Sequence, residues 1–209
     1  MKPKKIRLLV VDDHPLFRDG VVALFQRIPD MTVVAEAEDG VAGVAAYRKH
    51  KPDVVLMDLR MPKMSGVEAT LQIRSEFPDC RIIVLTTFDT DEDIYRALQS
   101  GAKSYLLKDM SEDEIVAGVR AVHAGREVLP PSVASALAER LTRKELTERE
   151  IAVLKLLAFG RNDKEIASLL AISEPTVRFH LRGIFEKLKA LDRTQAVIEA
   201  AHRGIVQIE

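Results

Sequence analysis

Short apolar runs alternate with helical patterns over the first part of the chain. Five strand-then-helix units fit before about residue 124, with strands near 6–12, 32–37, 53–58, 82–87 and 104–107. Four of these strands carry short runs of branched apolar residues, as expected of strands buried on both faces: Ile6–Val11, Val54–Met57, Ile82–Leu85 and Tyr105–Leu107. This alternation predicts an α/β domain built on a parallel sheet with right-handed crossovers.

Turn and capping residues stand where this scheme needs them. Asp39 precedes Gly40, Ser65 precedes Gly66, Ser100 precedes Gly101, and Ser111 precedes Asp113 and Glu114. These pairs supply turn and N-cap chemistry between the predicted elements.

Five polar residues follow the apolar runs, at the carboxyl ends of the predicted strands. They are Asp12, Asp13, Asp58, Thr86 and Lys108. In open parallel sheets ligands bind in the crevice at that edge. Unit charges ~4 Å apart interact by about 4 kcal/mol at an effective dielectric of 20, so three carboxylates would repel strongly there. A hard divalent cation that keeps several waters, Mg²⁺, would relieve the repulsion, and a phosphoryl group is a natural further ligand.

A structural explanation of the same residues is also open. Asp12 and Asp13 would cap the following helix, Asp58 would pair with Lys108, and Thr86 would be an ordinary strand residue. Capping accounts for one carboxylate and an ion pair for another, so the third is left unexplained.

After residue 124 the pattern becomes entirely helical. A turn through Pro130 and Pro131 and a short amphipathic helix carrying Val133, Leu137 and Leu141 predict a linker over residues 125–144. We therefore expect domains at 1–124 and 145–209. In the second domain Thr147 and Glu150 form a capping box for a helix through Phe159, followed by helices over about Asp163–Leu170 and Glu174 to Leu188.

The last two of these helices are joined by a tight turn and predict a helix-turn-helix, in which the second helix enters the DNA major groove. On that helix Val177, Leu181, Ile184 and Leu188 would face the core, which leaves Thr176, Arg178, Phe179, Arg182 and Lys187 nearer the surface. Arginine there can bond guanine edges or phosphates. A solvated face on an ordinary helical bundle is the alternative.

Composition places the chain in the soluble globular class, with 47% hydrophobic and 30% charged residues. There is no apolar run of about 18 residues, and the single cysteine, Cys80, fits a reducing compartment, so we expect a cytoplasmic protein with no membrane partner. Residues 1–139 carry 18 Lys and Arg against 22 Asp and Glu, whereas residues 140–209 carry 13 against 10. This asymmetry has the direction expected of an anion-binding second domain.

Over nearly its whole length the sequence resembles bacterial two-component response regulators of the NarL/FixJ type, in which a receiver domain precedes a LuxR-type DNA-binding domain. The matching receiver segments are Val11-Asp12-Asp13-His14, Leu56–Gly66, Leu85-Thr86-Thr87 and Gly101–Lys108. In the second domain they are residues 146–150, Lys164-Glu165-Ile166-Ala167, Ser173–His180, Lys187-Leu188 and Arg193-Thr194-Gln195-Ala196.

The resemblance implies a five-stranded, doubly wound sheet of flavodoxin-like order 2-1-3-4-5, followed by a small all-α helix-turn-helix domain. It implies that a sensor histidine kinase donates a phosphoryl group to Asp58. Mg²⁺ would be bound by Asp12, Asp13, Asp58 and the backbone carbonyl of Arg60, while Thr86 and Lys108 would bind phosphoryl oxygens. The protein would be no enzyme beyond Mg-dependent self-phosphorylation and autodephosphorylation at Asp58.

The resemblance also implies a switch and a DNA interface. Thr86 would move toward the phosphoryl group and Tyr105 would rotate inward with it, although Tyr105 as a plain core aromatic is an open alternative. Activation would release a recognition helix covered by the receiver and favour homodimers on a double-stranded DNA operator. The DNA-contacting residues would be Lys164, Thr176, Arg178, Phe179, His180, Arg182 and Lys187, with structural support of the helix as the alternative for His180.

Some positions depart from the family pattern. Asp163 stands where asparagine is usual, Gly183 where asparagine is frequent, and Glu186 where a basic or neutral residue is common. A carboxylate at 163 would weaken contact with DNA phosphates. His14 has no spacing typical of a metal ligand and is expected to be a surface or packing residue.

Two rival functions remain at this stage. A hydrolase with an aspartyl-phosphate intermediate also places an aspartate after a parallel strand, but Asp58-Leu59-Arg60 lacks a second acid two residues on. A DNA-binding protein with an inert receiver is the other rival, and the complete set of acids, threonine and lysine argues against it.

Overall fold

A computed structural model describes residues 5–87, 90–142 and 144–206 of the chain. The chain divides into two compact units, Met1–Leu141 and Thr142–Glu209, and each is described by itself. Among the described residues, no helix is both long and apolar enough to cross a bilayer.

The first unit is built on a five-stranded parallel sheet of order β2-β1-β3-β4-β5, which confirms the predicted fold class. The strands are β1 (Ile6–Val11), β2 (Met31–Ala37), β3 (Val54–Met57), β4 (Ile82–Thr86) and β5 (Ser104–Leu107). Its helices are α1 (Pro15–Gln26), α2 (Gly40–His50), α3 (Gly66–Glu76), α4 (Asp91–Gln99), α5 (Glu112–His123) and α6 (Pro131–Thr142).

Strand register sets the position of the predicted polar edge. Val11 pairs with Met57, Met57 with Val84, and Thr86 with Leu107. The residues that follow β1, β3 and β5 therefore lie at one edge of the sheet together with the end of β4. Both faces are packed, with α1 and α5 over one and α2 and α3 over the other, because nearly every side chain of the three central strands is buried and apolar.

Helix starts follow the predicted capping chemistry. Asp39 accepts a hydrogen bond from the backbone of Ala42, and Ser65 and Ser111 form complete capping boxes with Glu68 and Glu114. The α1 helix differs, because its N-cap residue is His14, whose own side chain makes no capping hydrogen bond. Asp12 Oδ1 accepts a hydrogen bond of 2.9 Å from the His14 backbone, so the start of α1 accounts for one oxygen of Asp12 but not for the carboxylate of Asp13.

The predicted linker helix, α6, packs onto the first unit over the α4–β5 edge. Val133 is 1% exposed and joins a cluster with Ile94 and Tyr105, whereas Leu141 at the end of the helix is 66% exposed. The preceding segment is tied to β5, since the Ser104 hydroxyl donates to the Val128 carbonyl. The helix was predicted, but its packing partner was not.

The second unit contains four helices in its described part: α7 (Glu148–Ala158), α8 (Asp163–Leu170), α9 (Glu174–Leu188) and α10 (Arg193–His202). The α8 helix ends at Ala171 in the left-handed conformation (φ 52°), and Ser173 caps α9 by accepting from the Thr176 backbone. The predicted apolar face of α9, namely Val177, Leu181, Ile184 and Leu188, is buried in one core with residues of α7, α8 and α10.

Glu150 is a buried acid that joins α7 to α9. Its Oε2 accepts hydrogen bonds from the Thr147 backbone (2.7 Å) and hydroxyl (3.0 Å), and Lys187 Nζ donates to it at 2.7 Å. Burial raises the pKa of the Glu150 carboxyl, but the bonds from Lys187 and Thr147 outweigh burial and hold this pKa below its usual range. A Cβ on Gly183 would lie 2.6 Å from Glu150 Oε1, so a larger residue at this position requires the end of the Glu150 side chain to shift.

Candidate functional site

Three carboxylates meet at the carboxyl edge of the sheet, as the sequence predicts. Asp12 and Asp13 follow β1 and Asp58 follows β3. One oxygen of each, together with a ring nitrogen of His14, lies within 4.8 Å of the others. The side chains of Asp12 and Asp58 are only 3% exposed, while that of Asp13 is 29% exposed. The arrangement concentrates negative charge in a site largely closed to water.

Lys108 bridges two of these acids. Its Nζ lies 2.8 Å from Asp12 Oδ2 and 2.7 Å from Asp58 Oδ2, with the lysine side chain 7% exposed. The ammonium also lies 4.6 Å from the centre of the Phe17 ring. The predicted structural ion pair is thus present, but it neutralises one charge out of three. The site keeps an excess of negative charge that a bound cation would offset.

The loop after β3 fixes the remaining oxygen of Asp58. Its Oδ1 accepts a hydrogen bond of 2.7 Å from the Leu59 backbone, so Oδ2 is the oxygen that faces the cluster. A Cβ on Gly66 would lie 1.9 Å from the Asp58 carbonyl oxygen. Only glycine fits this close approach of α3 to the strand end, and the sequence Ser65-Gly66 therefore serves both capping and the position of Asp58.

His14 is the residue that sequence reasoning set aside. Its side chain is 69% exposed, as expected of a surface residue, yet Nδ1 lies 2.8 Å from Asp13 Oδ1 and 4.0 Å from Asp58 Oδ2. The available signal was its position directly after Asp13, within the turn that leads into α1.

The donor set fits Mg²⁺. Asp13 Oδ1 is buried, and the polar group beside it is the exposed His14 ring, whose Nδ1 lies 2.8 Å away. Carboxylate oxygens from Asp12, Asp13 and Asp58 are hard ligands of the type that this ion prefers. Arg60, whose carbonyl the resemblance assigns to the metal, lies in the loop between β3 and α3.

The predicted switch residues are both fully buried. Thr86 is the last residue of β4, and Tyr105 lies in the middle of the cluster that joins α4, β5 and α6. The Tyr105 side chain is buried against residues of α4 and α6. Its packing with Val133 connects the strand next to the acidic site with the linker helix.

A polar contact holds the outer end of α6. Arg140 Nε donates to Glu92 Oε2 at 2.8 Å, both side chains are 16% exposed, and the guanidinium lies 4.5 Å from the centre of the Tyr95 ring. Burial raises the pKa of Glu92, but hydrogen bonds from Arg140 and Arg96 hold it below its usual range. Sequence reasoning missed this contact, because its two halves lie 48 residues apart.

On the second unit, the predicted DNA-contact residues divide by exposure. Lys164, Arg178, Phe179 and Arg182 are exposed, with Phe179 at 71%, while Thr176, His180 and Lys187 are half-buried. Phe179 and His180 form an edge-on ring pair with centroids 5.7 Å apart. Lys187 differs from the others in its partner, because its ammonium is paired with the buried carboxylate of Glu150.

Comparisons with known proteins agree with this arrangement. Residues 8–120 match the family model described as response regulator receiver domain, and residues 144–200 match that of bacterial regulatory proteins of the luxR family. The chain is 40% identical to the uncharacterized transcriptional regulatory protein YxjL of Bacillus subtilis, over 99% of this chain and 100% of that protein. It is also 40% identical to the response regulator protein VraR of Staphylococcus aureus, over 97% and 99%.

Among solved structures, the chain is similar to the RcsB response regulator of Salmonella typhimurium. One RcsB structure, concerned with conformational dynamism for DNA interaction, has a TM-score of 0.85 at 26% identity and covers 94% of this chain and 100% of that chain. Another shows RcsB bound to the promoter P1flhDC in the presence of phosphomimetic BeF₃⁻, with a TM-score of 0.75 at 26% identity, and covers 94% and 98%.

Proposed function

Because this chain belongs to the response regulators with a receiver domain and a LuxR-type DNA-binding domain, we propose that it is switched by phosphorylation of Asp58. A sensor histidine kinase donates the phosphoryl group, and the modification controls dimerisation and binding to a double-stranded operator in the cytoplasm. The observation that carries this proposal is the position of Asp58 Oδ2, buried beside two further carboxylates and 2.7 Å from the Lys108 ammonium.

The chemistry needs little more than position and charge. Asp58 Oδ2 attacks the phosphorus of a phosphohistidine, an O–P bond forms, the P–N bond breaks, and the imidazole leaves with a proton taken from solvent. Because Lys108 already lies against Oδ2, its ammonium is placed to pair with an oxygen of the incoming phosphoryl group. Transfer of a phosphoryl group depends mainly on such alignment and neutralisation. Loss of the group by slow autodephosphorylation is the only further reaction we propose.

Mg²⁺ would be held by the carboxylates of Asp12, Asp13 and Asp58 and by the carbonyl of Arg60. When bound, it neutralises charge on the transferring phosphoryl oxygens. If Asp12 Oδ2 becomes a metal ligand, the Lys108 ammonium would lose its present contact with that oxygen.

We propose that the signal leaves the site through Thr86 and Tyr105. Thr86 ends β4 beside the acidic cluster, and Tyr105 packs against Val133 of α6. A shift of Thr86 toward a phosphoryl oxygen would change the packing around Tyr105. The position of the linker helix, α6, would change with it. A two-state switch of this kind needs the phosphorylated form to prefer the new arrangement by a few kcal/mol.

For DNA contact we propose the predicted set on α8 and α9 other than Lys187: Lys164, Thr176, Arg178, Phe179, His180 and Arg182. RcsB, which shares the fold, binds promoter DNA, and this supports an operator as partner. A DNA contact by Lys187 stays a prediction. Its hydrogen bond to Glu150 supports a structural role, in which it joins α7 to α9.

Intact-mass analysis tests the proposal. The full chain is incubated with acetyl phosphate and Mg²⁺ beside Asp58→Asn, which keeps the size of the side chain, and beside Asp79→Asn, which changes an exposed aspartate remote from the cluster. We expect one base-labile phosphoryl adduct on the wild type and on Asp79→Asn, none on Asp58→Asn, and loss of the adduct when EDTA removes Mg²⁺. An adduct on Asp58→Asn would place the phosphoryl group on another residue, and no adduct on a folded wild type would favour a DNA-binding protein with an inert receiver.

A further inference from the structure

One carboxylate of the second unit contacts arginines from two other helices. Asp163 opens α8, with its side chain 18% exposed. Its Oδ1 accepts a hydrogen bond of 2.6 Å from Arg193 of α10, and its Oδ2 lies 3.5 Å from Nε of Arg178 on α9. Arg178 is also held from its own helix, because its Nη2 donates to Glu174 at 3.2 Å.

Arg178 is the arginine of this group that lies where bases are read. It is the fifth residue of α9, in the N-terminal part of the recognition helix, and its side chain is 58% exposed. The first residues of such a helix are those that reach base edges in the major groove. With Nε and one N–H of Nη2 facing carboxylates, the N–H groups of Nη1 and the second N–H of Nη2 remain as donors, and a pair of N–H donors on one guanidinium matches O6 and N7 of guanine.

The same contacts remove Arg178 and Arg193 from general attraction to DNA. Two carboxylates, Asp163 and Glu174, face two guanidinium groups, so the cluster carries no net charge. A cation neutralised within the protein does not displace counterions from the DNA backbone, and binding that depends on phosphate contacts loses its contribution. The carboxylates themselves repel nearby phosphates.

We propose that Asp163 is a specificity-determining positioning residue, which holds Arg178 for a guanine edge in the major groove and keeps it from the phosphate backbone. This rests on the proposed function, since it assumes that α9 reads an operator. It also gives a role to the departure at this position. Asparagine has the same size but no charge, so it cannot hold either arginine as an ion pair; Arg193 is then released to follow phosphates, and Arg178 keeps only its pair with Glu174.

The test compares the wild-type full chain, treated with acetyl phosphate and Mg²⁺, with Asp163→Asn. Asn162 and not Asp163 caps α8, so the variant keeps the helix start, and its melting temperature is checked against the wild type. Each protein first selects sequences from a library of random DNA duplexes. Binding to the duplex that the wild type enriches and to a random-sequence duplex is then measured at several salt concentrations.

We expect Asp163→Asn to bind the random duplex more tightly, with a salt dependence steeper by about 0.9 for each arginine that gains a phosphate contact. The ratio of specific to random affinity falls by roughly fivefold or more, in keeping with loss of one oriented bidentate contact, and the preference for guanine relaxes at one position of the selected site. Asp163→Glu, which restores the charge on a longer side chain, recovers part of the ratio.

Glu199→Gln is the matched control, because it removes one negative charge from an acid whose ion pair, among the described residues, is with Arg203 at the end of its own helix. We expect it to leave both the ratio and the selected sequence unchanged. If it acts like Asp163→Asn, or if Asp163→Asn keeps the wild-type ratio and guanine preference, the positioning role is wrong while the proposed function stands. If the wild type enriches no sequence, the proposed function itself fails and this inference with it.

Discussion

Replacing Glu150 by glutamine removes the charge from a buried ion pair while keeping the size of the side chain. Glutamine still accepts the Thr147 backbone hydrogen bond, but the Lys187 ammonium loses its carboxylate partner. Hydrogen bonds to charged groups contribute about 1.5–3 kcal/mol, and Lys187, at 19% exposure, regains part of its hydration by moving outward. We therefore expect the second unit to lose about 2 kcal/mol, which is roughly a 30-fold change in an opening equilibrium.

Hydrogen exchange followed by mass spectrometry measures this change locally. Peptides from α7 and α9 should exchange roughly 30-fold faster in Glu150→Gln, while peptides from the parallel sheet of the first unit serve as the internal reference. Glu148→Gln is the control, since it removes one charge from the same helix start and acts only on the helix dipole, about 0.5 kcal/mol or roughly a twofold change. Equal effects from the two variants would refute the buried-pair reasoning.

Three further predictions concern the first unit. Gly66→Ala should abolish the phosphoryl adduct on Asp58 without unfolding the sheet, because the added Cβ would lie 1.9 Å from the Asp58 carbonyl oxygen. In the same mass assay Gly20→Ala, whose added Cβ meets nothing within 4 Å, should behave as wild type. Arg140→Ala removes a largely buried bond to Glu92, so amides of α6 should exchange about tenfold faster or more while those of the sheet do not change; unchanged α6 exchange would show that apolar packing alone holds the helix. The lowered pKa of Glu92 also fixes the direction of the pH dependence: its contribution to the stability of α6 is fully present above the unfolded pKa of about 4.5 and is lost as the pH falls below that value. Protection of the α6 amides from exchange should therefore drop in that acid range. A loss of protection on raising the pH through neutrality would contradict the assignment.

The fold was readable because its signals are local. Each strand is a short run of branched apolar residues, and each helix start at Ser65, Ser111 and Thr147 carries its partner acid three positions later. The edge of the sheet where Asp58 and Lys108 meet then follows from the parallel arrangement alone.

Contacts between segments that are distant in the sequence could not be predicted in this way. Arg140 looked like an ordinary polar residue at a helix position, and Asp163 was expected to act on DNA phosphates and not on other helices, since a period or a cap does not encode which helix lies alongside. The position of His14 also depended on the path of the backbone after β1, which brings its ring against Asp13. Lys187 was predicted to contact DNA because it lies on the exposed face of the helical pattern. In the structure its ammonium is paired with Glu150, a buried acid on another helix.

The close approach of Glu150 to Gly183 limits which side chains the second unit can hold at position 183. Glycine in the middle of a helix costs about 1 kcal/mol relative to alanine, so a larger residue at 183 would help α9 taken by itself. A side chain there meets Glu150 Oε1 at 2.6 Å, and that carboxylate is held in place by its bonds to Thr147 and Lys187. A larger residue at 183 must therefore turn Glu150 Oε1 aside while Oε2 keeps its bonds to Thr147 and Lys187, so the gain in helix propensity is offset by the cost of moving this carboxylate.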